Sequence, residues 1–393
     1  MSKGKLAGVI VAAIAVIVVA TVIVITSPMS APEPARFTVS GLHISPDEVA
    51  PGEAVTVTVE VLNVGEEEGI YELELVIDGL VEQSRNVSLD GGEATTIVFT
   101  VKREGDKVYS VQTDGLSGKF AVTIATTKVA GIISKDTTWT EEDSPYEITQ
   151  TIQIPDGVTL TIEPGVVIRS QPTGAMFLLN GKIDARGTPE RKIIFDGGGH
   201  NSFFSAQSRN ASIGPAFADL EYCIIRNGGS FWPDYGRGYF WLRHSELSDL
   251  YGESWIWYEH EDVFIEYNII TGFGGFRINN ASRDYVPSLP SATVHIWHNL
   301  FDGKSGNYLI FNENSLGGST IVSYNSFTNV TGILLRQGNY TSPNMSAPHN
   351  YWGTEDTGSI EAMIYDKNDD INCPGYITYL PILTDPHPAT PDP

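Results

Sequence analysis

Apolar and polar residues alternate over most of this chain. In "AVTVTVEVLNVG" (54–65), "YELELVIDG" (71–79), "ATTIVFTV" (94–101) and "KFAVTI" (119–124) nearly every second position is apolar, and Gly, Asp or Asn bounds each run. Period two closed by turn residues predicts half-buried strands. About seven short strands between Phe37 and Ile124 predict a two-sheet antiparallel sandwich.

Beyond that region the alternation becomes a repeat. The segments "LEYCIIRNGG", "LRHSELSDLYG", "IEYNIITGFGG", "IWHNLFDGKSG", "VSYNSFTNVTG" and "APHNYWGTED" align on Cys223, Ser245, Asn268, Asn299, Asn325 and Asn350, at spacings of 22, 23, 31, 26 and 25. Recurrence at this period predicts a solenoid. Leu220, Leu242, Ile265, Ile296, Val322 and Ala347 stand three positions before the aligned residue, and Ile225, Leu247, Ile270, Phe301, Phe327 and Trp352 two after it. Both columns are apolar, yet an odd interval would send one of them outward. A bend at the aligned residue turns both inward, and Asn is the non-Gly residue that best tolerates the left-handed conformation there. The polar column is therefore expected to stack as a ladder, with the left-handed bend on the Asn itself.

A further strand is expected about ten residues on. Phe276/Ile278, Leu309/Phe311 and Ile333/Leu335 are read as its inward pairs, with Ile256/Tyr258 in the preceding coil or Trp255/Trp257 as the alternative. That register puts Trp257, Arg277, Ile310 and Leu334 in one outward column, and Glu259, Asn279, Asn312 and Arg336 in another. Coils about 4.8 Å apart would join these eight into one surface.

The N-terminus breaks the β pattern. Lys3 and Lys5 precede an uncharged run from Leu6 to Ile25, long enough as a helix to cover a bilayer core of about 30 Å. Residues 1–25 are read as a signal anchor, with a cleaved signal peptide as the alternative. The expected location is the cell membrane, single-pass, with the bulk of the chain extracellular. Residues 26–36 are Pro-rich and form a linker.

Composition narrows the function classes. Twenty-four basic against 48 acidic residues give a formal charge of -24, which argues against nucleic acid as a partner. Two cysteines, Cys223 and Cys373, make no disulfide framework, although a single bridge stays open.

The segment "FTVSGLHISPDEVAPGEAVTVTVEVLNVGEEEGIYELELVIDG", with Asn63 and Gly65 ending its core motif, resembles the CARDB family of Ig-like cell-adhesion modules. The resemblance implies a spacer or binding domain over 37–124 without catalytic residues. "PDGVTLTIEPGVVIRSQ" and "GKIDARGTPERKIIFDGG" resemble the opening coils of exported right-handed parallel β-helices, which implies such a helix over 126–383 and a flexible tail over 384–393. Proteins of the copper-associated NosD type share the repeat, but no Met/His/Cys cluster here argues for copper. The fold class expected is all-β: an N-terminal transmembrane helix, an Ig-like sandwich, then the β-helix.

In pectinase-like β-helices a face of this kind binds polysaccharide. Trp257, Glu259, Arg277, Asn279, Asn312 and Arg336 are the expected ligand-binding residues, since aromatic rings stack on sugars while Arg and Asn bond hydroxyls or carboxylates. Hydrolysis would need two carboxylates roughly 5 to 9.5 Å apart, and Glu259 is the single one in the columns, with Glu253, Glu261, Asp262 and Asp234 nearby. A lyase would need a base, for which Arg277 or Arg336 are candidates, and calcium held by acidic oxygens. Otherwise no cofactor and no metal site is expected. "DKNDD" (366–370) begins like a calcium loop, but Ile371 and Ile377 replace its Gly and its Glu. Two functions result: a membrane-anchored structural or adhesive surface protein binding a polysaccharide or cell-surface glycan, or a polysaccharide lyase or glycoside hydrolase.

Overall fold

The computed structural model describes residues 31–170, 176–199, 202–206, 215–232, 238–257, 261–279, 292–313, 318–338 and 345–392. The chain forms two compact units, Met1–Ile124 and Ala125–Pro393. Strands dominate both. The helix Thr357–Glu361 is five residues long and begins at Asp356, whose Oδ2 accepts from Ser359 N–H at 2.8 Å.

The start of the expected architecture is corrected by this. No helix of the described residues is long and apolar enough to cross a membrane, and five residues rise only about 7.5 Å against roughly 30 Å of bilayer core. The anchor expected over 1–25 lies outside the described residues. The transmembrane helix, the single-pass location and the membrane as partner are thus unsupported, and the described fold is all-β.

In the first unit Phe37–Ser45, Ala54–Asn63 and Ala94–Lys102 form one antiparallel sheet, while Gly69–Ile77, Leu80–Leu89, Lys107–Thr113 and Leu116–Val122 belong to another. Alternation does what the sequence pattern requires: Val55, Val57, Val59 and Val61 are all buried, against Phe99, Leu75, Val111 and Phe120. Each such side chain contributes about 1.5–3 kcal/mol. Asn63 sits at the end of this row with no exposure. Its Nδ2 donates to Glu67 and Leu89 carbonyls at 2.8 and 3.1 Å, and its Oδ1 accepts from Arg36 and Gly65 N–H at 3.1 and 3.0 Å. Gly65 is required beside it, because a Cβ there would lie 2.2 Å from the Pro34 carbonyl.

The second unit is built of parallel sheets. One pass runs Val263–Glu266, Ile269–Phe273 and Phe276–Asn279, and the next runs Thr293–Trp297, Leu300–Lys304 and Ile310–Asn312. Each strand pairs in parallel with its counterpart in the following pass. The result is a ten-stranded, a twelve-stranded and a five-stranded sheet around one apolar core.

Between the first two strands of each pass lies the aligned column. Asn268, Asn299, Asn325 and Asn350 are fully buried. Backbone N–H groups of Ser245, Asn268, Asn299 and Asn325 donate to Oδ1 of the Asn one pass on, at 2.9, 3.0, 2.9 and 2.9 Å, and Cys223 N–H donates to Ser245 Oγ at 3.0 Å. Each Asn Nδ2 reaches back to the carbonyl of Leu242, Ile265, Ile296 or Val322. The apolar columns on both sides are buried as the bend requires.

The left-handed residue, however, is the one before. Tyr222, His244, Tyr267, His298, Tyr324 and His349 have φ between 49° and 60°. A bend there frees backbone polar groups that the following Asn side chain is placed to satisfy. The strain, on the order of 1 kcal/mol per residue, is offset by stacking: these six rings form one column at centroid spacings of 4.9–5.1 Å with planes 4–14° apart.

Trp352 is buried against Phe327 and Tyr379 at the C-terminal end. Cys223 and Cys373 are both buried free thiols. All seven Trp follow residue 138, so Trp fluorescence reports on the second unit alone. Asn299→Ala removes a ladder acceptor and a ladder donor from a dry site, and is expected to lower that unit's stability by about 3 kcal/mol or more in urea unfolding followed by Trp fluorescence. A change below about 1 kcal/mol would show that the ladder does not hold the stack.

Candidate functional site

The five-stranded parallel sheet comprises Ser254–Trp257, Phe276–Asn279, Ile310–Asn312, Leu335–Gln337 and Ile364–Tyr365. Its register aligns Trp255, Arg277, Phe311, Arg336 and Tyr365 across five passes. Ser254, Phe276, Ile310, Leu335 and Ile364 beside them are buried in the core, so this column lies on the opposite face of the sheet, half-buried at Trp255, Arg277, Arg336 and Tyr365 and buried at Phe311.

Rings and guanidiniums alternate along it. Arg277 lies 5.5 Å from the Trp255 ring and 5.3 Å from Phe311, and Arg336 lies 4.7 Å from Phe311 and 5.3 Å from Tyr365. Each contact is worth about 0.5–1 kcal/mol, more where desolvated. Trp257 stacks on Trp255 at 5.0 Å and pairs in register with Asn279.

The two cations differ in their partners. Glu313 grips Arg277 with both oxygens at 2.7 Å, and Glu253 Oε2 lies 3.7 Å away on the other side. Tyr308 donates to Glu253 Oε1 at 2.6 Å, and burial together with this carboxylate pushes its phenol up. Arg336 has no carboxylate partner among the described residues, and its Nε makes no hydrogen bond.

Trp257, Arg277, Asn279 and Arg336 lie off the core face as the sequence register expects, but Arg277 and Arg336, expected in two separate columns, stand in one. Trp255, rather than Trp257, stands beside Arg277. Ile310 and Leu334 are buried in the core, and Phe311 takes the place in the Arg column, itself buried between Arg277 and Arg336. Asn312 is also turned inward, where its Nδ2 donates to Gln337 Oε1 at 3.0 Å and its Oδ1 accepts from Thr320 at 3.1 Å. The slip has a local cause: Leu309 and Ile310 N–H both donate to the Leu334 carbonyl, and Leu334 and Leu335 N–H both to Met363. An irregularity of this kind at the strand entrance inserts one residue and reverses parity. Glu259 and Tyr258 lie outside the described residues. Glu313 was missed, although its place directly after "IFN" was the available signal.

Other acidic candidates serve the backbone. Asp262 Oδ1 accepts from Thr293 N–H at 2.9 Å, and Asp366 accepts from Asn368 and Ile377 N–H, each at 2.8 Å. Among the described residues no group of three or more His, Cys, Asp or Glu is placed to hold a metal ion.

No family profile matches the chain, and no curated protein matches it. Solved structures with local similarity include a β-glucosidase from Erythrobacter marinus at 13% identity (TM-score 0.22, 23% of this chain and 16% of that one). A β-glucosidase from Listeria innocua in complex with glucose is similar at 17% (TM-score 0.21, 23% and 16%). A CARDB domain from Pyrococcus furiosus in complex with di-metal ions is similar at 18% (TM-score 0.20, 23% and 92%). The chain spans only 16% of the glucosidases' length. Overlaps this slight carry no argument about activity.

A double-mutant cycle on Arg277→Ala and Glu313→Ala is expected to give a coupling energy of about 1–2 kcal/mol in urea unfolding. Coupling below about 0.3 kcal/mol would mean that the pair does not organise this face.

Proposed function

We propose that the chain is a non-catalytic glycan-binding protein with a structural or adhesive role. Its second unit is then a right-handed parallel β-helix that displays the column as a binding strip, and its first a CARDB-like spacer module. The alternation of Trp255, Arg277, Phe311, Arg336 and Tyr365 carries this reading. Sugar rings offer apolar C–H faces to aromatic rings and hydroxyls to fixed polar groups. The coil step of about 4.8 Å sets such groups at intervals close to the advance of one sugar unit along an extended glycan.

Charge narrows the ligand. A formal charge of -24 disfavours a long polyanion at a distance, whereas Arg336 can accept one carboxylate or a pair of hydroxyl oxygens at contact. A neutral or sparsely carboxylated glycan fits both conditions. Catalysis by Arg277 fits less well, because Glu313 occupies two of its nitrogens.

Glycan-array screening followed by calorimetry tests the reading. Arg336→Ala and Trp255→Ala are each expected to weaken binding at least about tenfold, the value of about 1.4 kcal/mol, with folding unchanged. If instead unsaturated or reducing ends accumulate from a polysaccharide panel, with or without calcium, and vanish in Arg277→Ala or Glu253→Gln, the protein is a lyase or hydrolase.

A further inference from the structure

The twelve-stranded sheet ends in a cleft lined by no residue of the column that carries Arg277 and Arg336. One pass earlier the pairing is regular, with Leu300, Phe301 and Asp302 opposite Ser326, Phe327 and Thr328. In the last pass Phe327 N–H still donates to the Tyr351 carbonyl at 2.9 Å, and Tyr351 bridges Ser326 and Leu383. The chain then turns away at Gly353, with φ at 74°, toward the helix Thr357–Glu361. A gap of about 520 Å³ opens between residues 328–331 and 351–354.

The floor of this cleft is apolar but not fully satisfied. Phe327 and Trp352 form it and are almost completely buried. Among the described residues the indole N–H of Trp352 has no hydrogen-bond partner, and a buried donor left unpaired is an unfavourable exception in a folded chain. Hydroxyls stand at the rim. Thr354 Oγ1 accepts from Asp356 N–H at 3.1 Å, which leaves its own O–H to donate. Thr331 is exposed and Tyr351 half-buried. In a chain of formal charge -24, no acidic or basic side chain among the described residues lines the cleft.

We propose that this cleft binds one neutral sugar residue. Its volume lies within the range of about 300–1,000 Å³ common for small-ligand sites, which pair apolar walls with a few polar groups. A sugar ring has C–H faces for Val330 and Met363 on the wall, and hydroxyls around its edge for Thr331 and Thr354. One of its oxygens supplies the acceptor that Trp352 lacks. The indole N–H is shielded from solvent, so binding includes a turn of that ring toward the ligand. A carboxylated or amino sugar would bury a charge with no partner in this lining, which disfavours it. The site is separate from the Arg277 and Arg336 strip and does not depend on it.

Calorimetry and indole proton–nitrogen spectra of the full chain, titrated with the neutral methyl glycosides of glucose, galactose and mannose, test this. Saturable binding of at least one is expected near a Kd of about 1 mM, as suits a ligand of so few atoms. One indole resonance, assigned by its absence in Trp352→Phe, should move downfield as its N–H gains an acceptor. Thr331→Arg, at an exposed rim position, is expected to weaken binding about tenfold or more with urea unfolding unchanged, and glucuronate or glucosamine to bind about tenfold more weakly than the neutral sugar. No saturable binding by about 10 mM, equal binding of the charged sugars, an unmoved Trp352 resonance, or binding indifferent to Thr331→Arg would each overturn the proposal. Failure of the strip is read apart from this, as array binding indifferent to Arg336→Ala.

Discussion

The corner between the first two strands of each pass is the constraint on which the second unit rests. A stack of parallel strands must turn at the same point on every pass, and at that point backbone donors and acceptors leave the sheets. Left buried and unpaired, each would cost about 1–3 kcal/mol. The Asn column answers this by side chain: in Asn299, Oδ1 accepts from the preceding pass while Nδ2 donates both back to that pass and on to the next. Because Asn268, Asn299 and Asn325 each bond their neighbours on both sides, the corner is set cooperatively. Register elsewhere follows from it, since the strands on either side cannot slip without breaking the column.

The ring column beside it belongs to the same constraint. A left-handed bend in a Tyr or His is disfavoured in isolation, and the sequence places such a residue there in all six passes from Tyr222 to His349. Gly or Asn would adopt the bend at less cost. A ring, however, has a flat face at the coil spacing and stacks on its neighbours, so strain in one residue is offset by contact with the next. The alternation Tyr, His, Tyr, His, Tyr, His also leaves His244 and His298 each between two phenols within the column, with His349 against Tyr324 at its end.

This geometry explains which parts were legible in the sequence. The corner could be read because Asn fills four of its six aligned positions, the local interval is constant and both flanks are apolar, all within six positions. The one error there, assigning the bend to Asn rather than to the preceding ring, arose because Asn is the better left-handed residue in general, while here its side chain is needed as a bonding group. The third strand was less legible. "YLIFN" (308–312) and "GILLR" (332–336) present consecutive apolar residues, and Leu309 with Ile310, and Leu334 with Leu335, are buried on both parities. Periodicity cannot locate an irregularity inside such a run. Arg277, flanked by Phe276 and Ile278, had no such ambiguity and was placed correctly. In the sandwich, strict alternation through Val55 to Val61 left nothing to decide, and the role of Asn63 became visible only with the two loops that converge on it.

The column of the third strand shows how packing within such a scaffold makes two like side chains differ. Across one face, Arg277 and Arg336 share the Phe311 ring, yet Glu313 and Glu253 converge on the first alone. A guanidinium held bidentately is fixed in orientation and largely neutralised, so it organises the strip and polarises its rings without offering a strong charge to a ligand. Arg336 lies between the Phe311 and Tyr365 rings with no carboxylate partner among the described residues, so it retains its charge. The distinction follows from where the carboxylates stand: Glu313 directly follows the strand that carries Phe311, whereas the strand carrying Arg336 is followed by Gly338. One position in the sequence therefore separates the cation that is paired with carboxylates from the one that, among the described residues, is not.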